Sequence, residues 1–500
     1  MAGSSARRWV IEGACVALFL LIGAASRLYR LEEVPPRISA DEYTTTAEVF
    51  EILHGKGPPL FGLDWKPMPA LTSHATALLM RVVGPTILGM RLLSILLSLL
   101  AAALLYGLLR QSCSVAVAWA TAVVLLSNPW FLNFSRSGWE NIHVGTYWLL
   151  FTWCFFSGLR PGARRWLYHL GAGTALALSC YGYFTGRLIV FCWLLCLPLA
   201  SVLSGRRWRH VLAAYALIAA TATLVFAPQL PVTIRNWDSF QQRVITVSIF
   251  NVDPAAVGSN SRLSLAASQL WKTTQYLFVG AGIGGVHYAP TDRPPFHWAL
   301  VPLLLIGMIR ALLRWRVGLW WWLLLLVPII ATQGFSVVGD PNLARMAPTC
   351  VAFFWFIGYG AGAVADLANQ RWRYAAGIIL AVGAIAISGQ EWRFFEQWML
   401  SPGVANARGG GVDYRDYARW REIQFRRIAA GKSCVPVVEW ERPEIREALL
   451  RAHSGPEERA GSPDQRSSIS EAVKKPPLML RQAQHERHGP LISLRFFRSP

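Results

Sequence analysis

The sequence predicts an all-α polytopic membrane protein: about eleven transmembrane helices, short helices along one membrane face and a small C-terminal region. Three observations predict it. Only 15% of the 500 residues are charged and 54% are hydrophobic, whereas a soluble domain carries about 25% charged residues. Apolar runs near the length of a bilayer span recur along most of the chain. The arginines flank those runs, as cytoplasmic anchors do. The net charge of +20 therefore reads as membrane topology, not as nucleic-acid binding.

Residues 1–30 have a basic start and an apolar core that carries through to Ser26 and meets Arg27 and Arg30. There is no clear small-residue cleavage site, so this is read as a retained first helix. The first external loop, 29–88, follows. It opens on the most polar piece of the first quarter and holds the adjacent acids Asp41 and Glu42. Carboxylates are tolerated in a water-facing loop and costly in lipid. Within it, 44–53 has helical spacing with Val49, Ile52 and Leu53 on one side. It predicts an interfacial helix halted by Gly55, Gly57 and Pro58.

Residues 69–84 contain Ser73, His74 and Arg81 and suit either a short span or a second interfacial helix. Charge decides between them. Spans are expected at 89–110, 114–132, 141–159, 166–184, 187–204 and 210–230. The clusters Arg160, Arg164, Arg165 and Arg206, Arg207, Arg209 then fall inside only if 69–84 does not cross. Seven spans thus precede a long external loop, 231–296, long enough to be partly ordered. Four more, at 297–315, 317–336, 346–367 and 374–390, complete a transmembrane unit over 1–390. Residues 391–453 are amphipathic and suit a small external cap. Residues 454–500 are rich in Ser, Pro, Glu and Arg, lack periodicity, and are expected to be disordered.

The topology sorts the polar residues. Acids, His, Asn and Tyr gather outside, while the inner side receives mainly Arg. No Walker or dinucleotide fingerprint occurs, and AGIGG at 281–285 follows no strand. Eight Cys show no zinc pattern; Cys192 and Cys196, one turn apart, read as packing residues. Three breaks between apolar runs place arginines at outer span ends: Arg136 in FSRSGWENI, Arg187 in YGYFTGRL and Arg345 in GDPNLARMAP. A guanidinium grips phosphate oxygens bidentately, although a single one equally suits snorkelling to lipid phosphates. Asp41 and Glu42 equally suit a helix N-terminus, where the dipole favours carboxylates. The two roles are compatible.

PPRISADEYTTTAEVFEILHGKG, an acidic pair in a Pro-rich loop backed by an interfacial helix, resembles the first external loop of the GT-C superfamily. These are polyprenyl-phosphate-dependent membrane glycosyltransferases, and the closest branch is that of protein O-mannosyltransferases and the lipid A aminoarabinose transferase. GMRLLSILLSLLAAALLYGLLRQ resembles that branch's Arg-led second span, and NPWFLNFSRSGWENI, SCYGYFTGRL and GDPNLARMAP are similar to later segments. The resemblance covers roughly residues 10–390.

It implies inverting transfer of a sugar from a polyprenyl phosphate to an acceptor glycan, lipid or protein on the outer face of a bacterial plasma membrane. Asp41 would be the catalytic base and Glu42 its assistant or a structural neighbour. Lys66, Arg187 and Arg345 would hold the donor phosphate. Trp65, Arg136, Asn141, Tyr181, Tyr183 and His287 are candidate sugar or acceptor contacts. The chain lacks the inserted soluble domain of eukaryotic O-mannosyltransferases, which speaks against a protein acceptor; its first loop has no DxD pair, so no metal is expected, nor is a cofactor beyond the lipid-linked donor. A flippase for lipid-linked sugars is the main alternative, although no repeat of broken helices is visible. A membrane scaffold is another.

Overall fold

The computed structural model describes residues 2–452 except 161–163, 205–206, 281–287, 289, 291–292, 337–340, 368–372, 409–411 and 441. The expected tail at 454–500, the AGIGG segment and His287 lie outside the described residues.

No β-strand occurs among the described residues; only three isolated bridges do. Taken in order, the lip end of the chain comprises α1 (Ala2–Leu28), α2 (Ala40–Leu53) and α3 (Leu71–Val83). The bundle continues through α4 (Ile87–Leu109), α5 (Val115–Ser127), α6 (Pro129–Ser135), α7 (Asn141–Leu159), α8 (Arg165–Tyr181), α9 (Leu188–Ser204) and α10 (Trp208–Phe226). The long loop contains α11 (Leu230–Arg235), α12 (Trp237–Val247) and α13 (Arg262–Val279), so it is partly ordered as expected. The bundle resumes with α14 (Val301–Leu313), α15 (Trp315–Ile329), α16 (Leu343–Met346), α17 (Cys350–Asp366) and α18 (Arg373–Leu400). The cap is α19 (Pro402–Ala407), α20 (Tyr417–Ala429), α21 (Val437–Trp440) and α22 (Pro443–Ala452).

Every segment expected as a span is helical, α5 and α6 forming one of them with a 63° bend between them. The bend falls where Asn128 caps α6 and Pro129 enters its first turn, a position that suits Pro at a helix start but not within a helix. Among the described residues six helices are long and apolar enough to cross a membrane, or seven with the bent pair. Four expected spans are not among these seven: α1, and α8, α9 and α14, the last three only 17, 17 and 13 residues long. α3 has 13 residues, about 20 Å at the α-helical rise, short of the roughly 30 Å hydrocarbon core. It packs against α2 and α4.

α17 is buried on all sides from Cys350 to Gly362, as expected for the centre of a bundle. Small residues let its neighbour approach: a Cβ on Gly307 of α14 would lie 1.8 Å from the Phe356 carbonyl oxygen. Trp355 stacks between Trp321 and Tyr359, with ring centroids 4.6 and 4.7 Å away.

Two boundaries differ from the sequence reading. α2 begins at Ala40, not at 44, because Ser39 and Glu42 form a capping box; each side chain satisfies a backbone N–H of the other. The acidic pair is therefore the first helical turn rather than a loop before it. α18 runs unbroken past 390 to Leu400, so one helix carries the bundle into the cap. The cap then packs on α2, with Trp420 4.8 Å from Tyr43 and 5.3 Å from Phe50.

Candidate active site

The first turn of α2 sends its two acids in different directions, since successive side chains on a helix diverge by about 100°. Glu42 points into the protein and is fully buried. Its carboxylate accepts from Arg91 Nε at 3.1 Å and from the Gly138 N–H at 2.7 Å, and Arg408 Nη1 lies at 3.5 Å. Burial alone would raise its pKa, but Arg91, Arg408 and the Gly138 N–H together hold it below the ordinary carboxylate range. Asp41 stays half-buried on the other side.

Asp41 faces a lysine. Lys66 is mostly buried, with its ammonium 4.0 Å from Glu140. Burial works against its charge, yet Glu140, Asp41 and Asp64 outweigh it and lift Lys66 above the ordinary lysine range, with Tyr183 adding to the effect. The turn carrying Lys66 is set by Asp64, whose Oδ1 accepts from the Lys66 and Met68 N–H groups, both at 2.8 Å. Asp64 is itself buried. Burial and then Glu140 push its carboxyl up to about 8. Glu48 accepts from the Trp65 N–H at 2.8 Å and is also raised by burial. Trp65 stands 39% exposed, with the Lys66 ammonium 4.9 Å from its ring centroid. A cavity of about 340 Å³ opens beside it between α2 and the cap. Thr44, Glu48, Asp64 and Trp65 line it together with Cys434–Pro436.

The start of α7 links this cluster to a second cation. Glu140 pairs with Lys66, and the next residue, Asn141, donates to the Ala344 carbonyl at 2.8 Å. That bond fixes the turn before Arg345, which Asn342 caps through its side-chain oxygen. Arg345 is buried and donates to Ser336 Oγ at 2.8 Å. Arg187 ends a 3₁₀ turn after α8, with its guanidinium 3.6 Å from the Phe240 ring centroid of α12.

The structure thus brings Asp41, Trp65, Lys66 and Tyr183 together, with Arg345 one hydrogen bond further along. It gives other expected contacts different work. Arg136 is fully buried and donates to the carbonyls of Ser26, Arg27, Tyr29, Arg30 and Val34. Cations favour such a helix C-terminus, and five backbone acceptors leave this one no face for a sugar. Asn141 holds backbone. The Tyr181 hydroxyl donates to the Val225 carbonyl at 3.0 Å, and its ring packs on Phe226.

Sequence reasoning missed Glu48, Asp64 and Arg408. Glu48 had a signal, lying seven residues after Asp41 and so on the same helix face. Arg408 had none, because its partner is more than 360 residues away. Among the described residues no group of three His, Cys, Asp or Glu side chains is placed to hold a metal ion.

Residues 67–231, about a third of the chain, match the sequence model of the dolichyl-phosphate-mannose-protein mannosyltransferase family. The fold is similar to that of ArnT from Cupriavidus metallidurans bound to undecaprenyl phosphate, at 16% identity and a TM-score of 0.51, covering 87% of this chain and 73% of that one. It is also similar to the apo Archaeoglobus fulgidus oligosaccharyltransferase, at 13% identity and a TM-score of 0.53, covering 91% of this chain and 61% of that one. At these identities the likeness is one of fold. No curated protein sequence matches the chain. The family match and the fold agree with the resemblance read from the sequence.

Proposed function

We propose that this chain, a membrane glycosyltransferase of the GT-C type, moves a sugar from a polyprenyl-phosphate donor to an acceptor hydroxyl or amine on the outer membrane face, with inversion. The observation that carries this reading is the half-buried Asp41 set beside the acid-ringed Lys66. It is a base next to a cation at the mouth of an apolar bundle.

Asp41 takes the proton from the acceptor as the acceptor atom bonds to the anomeric carbon. The bond from that carbon to the phosphate oxygen breaks, and the electron pair leaves with the lipid phosphate. The growing negative charge meets Lys66, with Arg345 and Arg187 as further candidates. The leaving phosphate is already anionic and needs no general acid. One displacement inverts the anomeric centre. Glu42, locked to Arg91 and Arg408, holds the first turn of α2 in place. The inner arginine clusters support an outward-facing lip.

Asp41→Asn tests the reading in proteoliposomes supplied with a polyprenyl-phosphate sugar. Transfer is expected to fall by about 10²–10⁴-fold while the protein stays folded and still binds donor. Normal transfer by this variant would overturn it. Donor crossing the bilayer without any glycosylated product would favour a flippase.

A further inference from the structure

The face turned inward by the run from the end of α10 into α11 is unusual. From Thr221 to Ser248, Gln229 and Thr233 are the only described residues that are buried. They lie four apart, one turn along the same helical run, and so share a face. Their neighbours Leu230 and Ile234 are 37% and 69% exposed. The apolar side of this run faces outward and two uncharged polar groups face in, the reverse of a water-soluble helix.

Those groups lack partners. Gln229 Oε1 and Thr233 Oγ1 are buried and make no hydrogen bond, and Gln229 has only a long 3.4 Å contact from Nε2 to the Gly62 carbonyl. Native proteins pair nearly all buried polar atoms, so orphans need a reason. Their position suggests one. Gly62 belongs to the turn that carries Asp64 and Lys66, and the preceding Phe61 packs on Tyr181, its ring centroid 6.5 Å away. On the turn after Tyr181, Thr185 Oγ1 and Arg187 Nε are likewise buried without partners.

We propose that Gln229 and Thr233 are the sugar-recognising wall of the donor site, hydrogen-bonding the hydroxyls of an uncharged sugar. This rests on the donor reading above. An amide oxygen accepts only, so it selects an O–H donor. A threonine hydroxyl donates or accepts, which suits a second sugar hydroxyl. Both groups are neutral, as the ring of an uncharged sugar requires. The turn at Gly62 covers this wall, and the sugar replaces its single weak contact with Gln229.

The test compares binding of bare decaprenyl phosphate with its mannosyl, glucosyl, galactosyl and arabinosyl esters by the full chain in detergent. Wild type is expected to bind at least one ester more tightly than the bare lipid. Gln229→Leu and Thr233→Val should each lower that ester's affinity by about three- to tenfold and leave bare-lipid affinity unchanged. Because the groups replaced are unpaired, melting temperature should hold or rise; a purely structural role would lower it. Variants that keep the ester preference, or wild type binding every ester no better than the bare lipid, would overturn the proposal. Wild type binding neither bare lipid nor ester would instead overturn the donor reading.

Discussion

Arg91 and Glu42 meet at 3.1 Å with side chains 1% and 0% exposed. The pair joins the first turn of α2 to the N-terminal end of the Arg-led helix α4. Arg408 reaches the same carboxylate from the cap, so three distant parts of the chain converge on one charge.

Removing that charge strands two buried guanidinium groups. Breaking a buried ion pair from one side costs about 3–5 kcal/mol, so Glu42→Gln is expected to melt well below wild type in detergent. Because the folded carboxyl sits below its ordinary value, its stabilisation is complete above about pH 4.3 and disappears only as pH falls through the folded value. The stability gap should therefore be constant from pH 6 to 9. A gap that closes within that range would contradict the assignment.

Lys66 should matter to the donor more than to the acceptor. Lys66→Met is expected to cut kcat/KM by roughly 10²-fold and to weaken binding of bare decaprenyl phosphate. Titration of the variant with that lipid checks this directly, and an unchanged affinity would remove Lys66 from the phosphate site.

Asp64 offers a pH signature of opposite sign. Its folded carboxyl is pushed up to about 8, against about 3.9 in an unfolded chain. Between those values the folded state holds more protons, so stability falls as pH rises, by at most about 1.4 kcal/mol per unit. Asp64→Asn keeps the oxygen that accepts from Lys66 and Met68 and loses the titration. Its melting temperature relative to wild type should climb between pH 5 and 8. Parallel curves for the two proteins would show that Asp64 is not buried among acids.

What the sequence determined by itself was written in periodicity and charge. Apolar runs separated by arginines specify helices and their order, because a span needs some twenty apolar residues and basic residues resist crossing. The same logic kept 69–84 out of the bundle and brought Asp41, Lys66 and Arg345 to one side. Tertiary structure decided what each polar group does once there. Arg136 and Arg345 look alike in sequence, each at a span end; one is enclosed by five carbonyls at the end of α1 and in the turn after it, and the other rests on Ser336, beyond the end of α15. Asp41 and Glu42 are neighbours in the chain, yet α2 turns one toward Lys66 and the other into Arg91 and Arg408. Such partners lie tens to hundreds of residues away, and no local pattern encodes a contact that forms only when the helices pack.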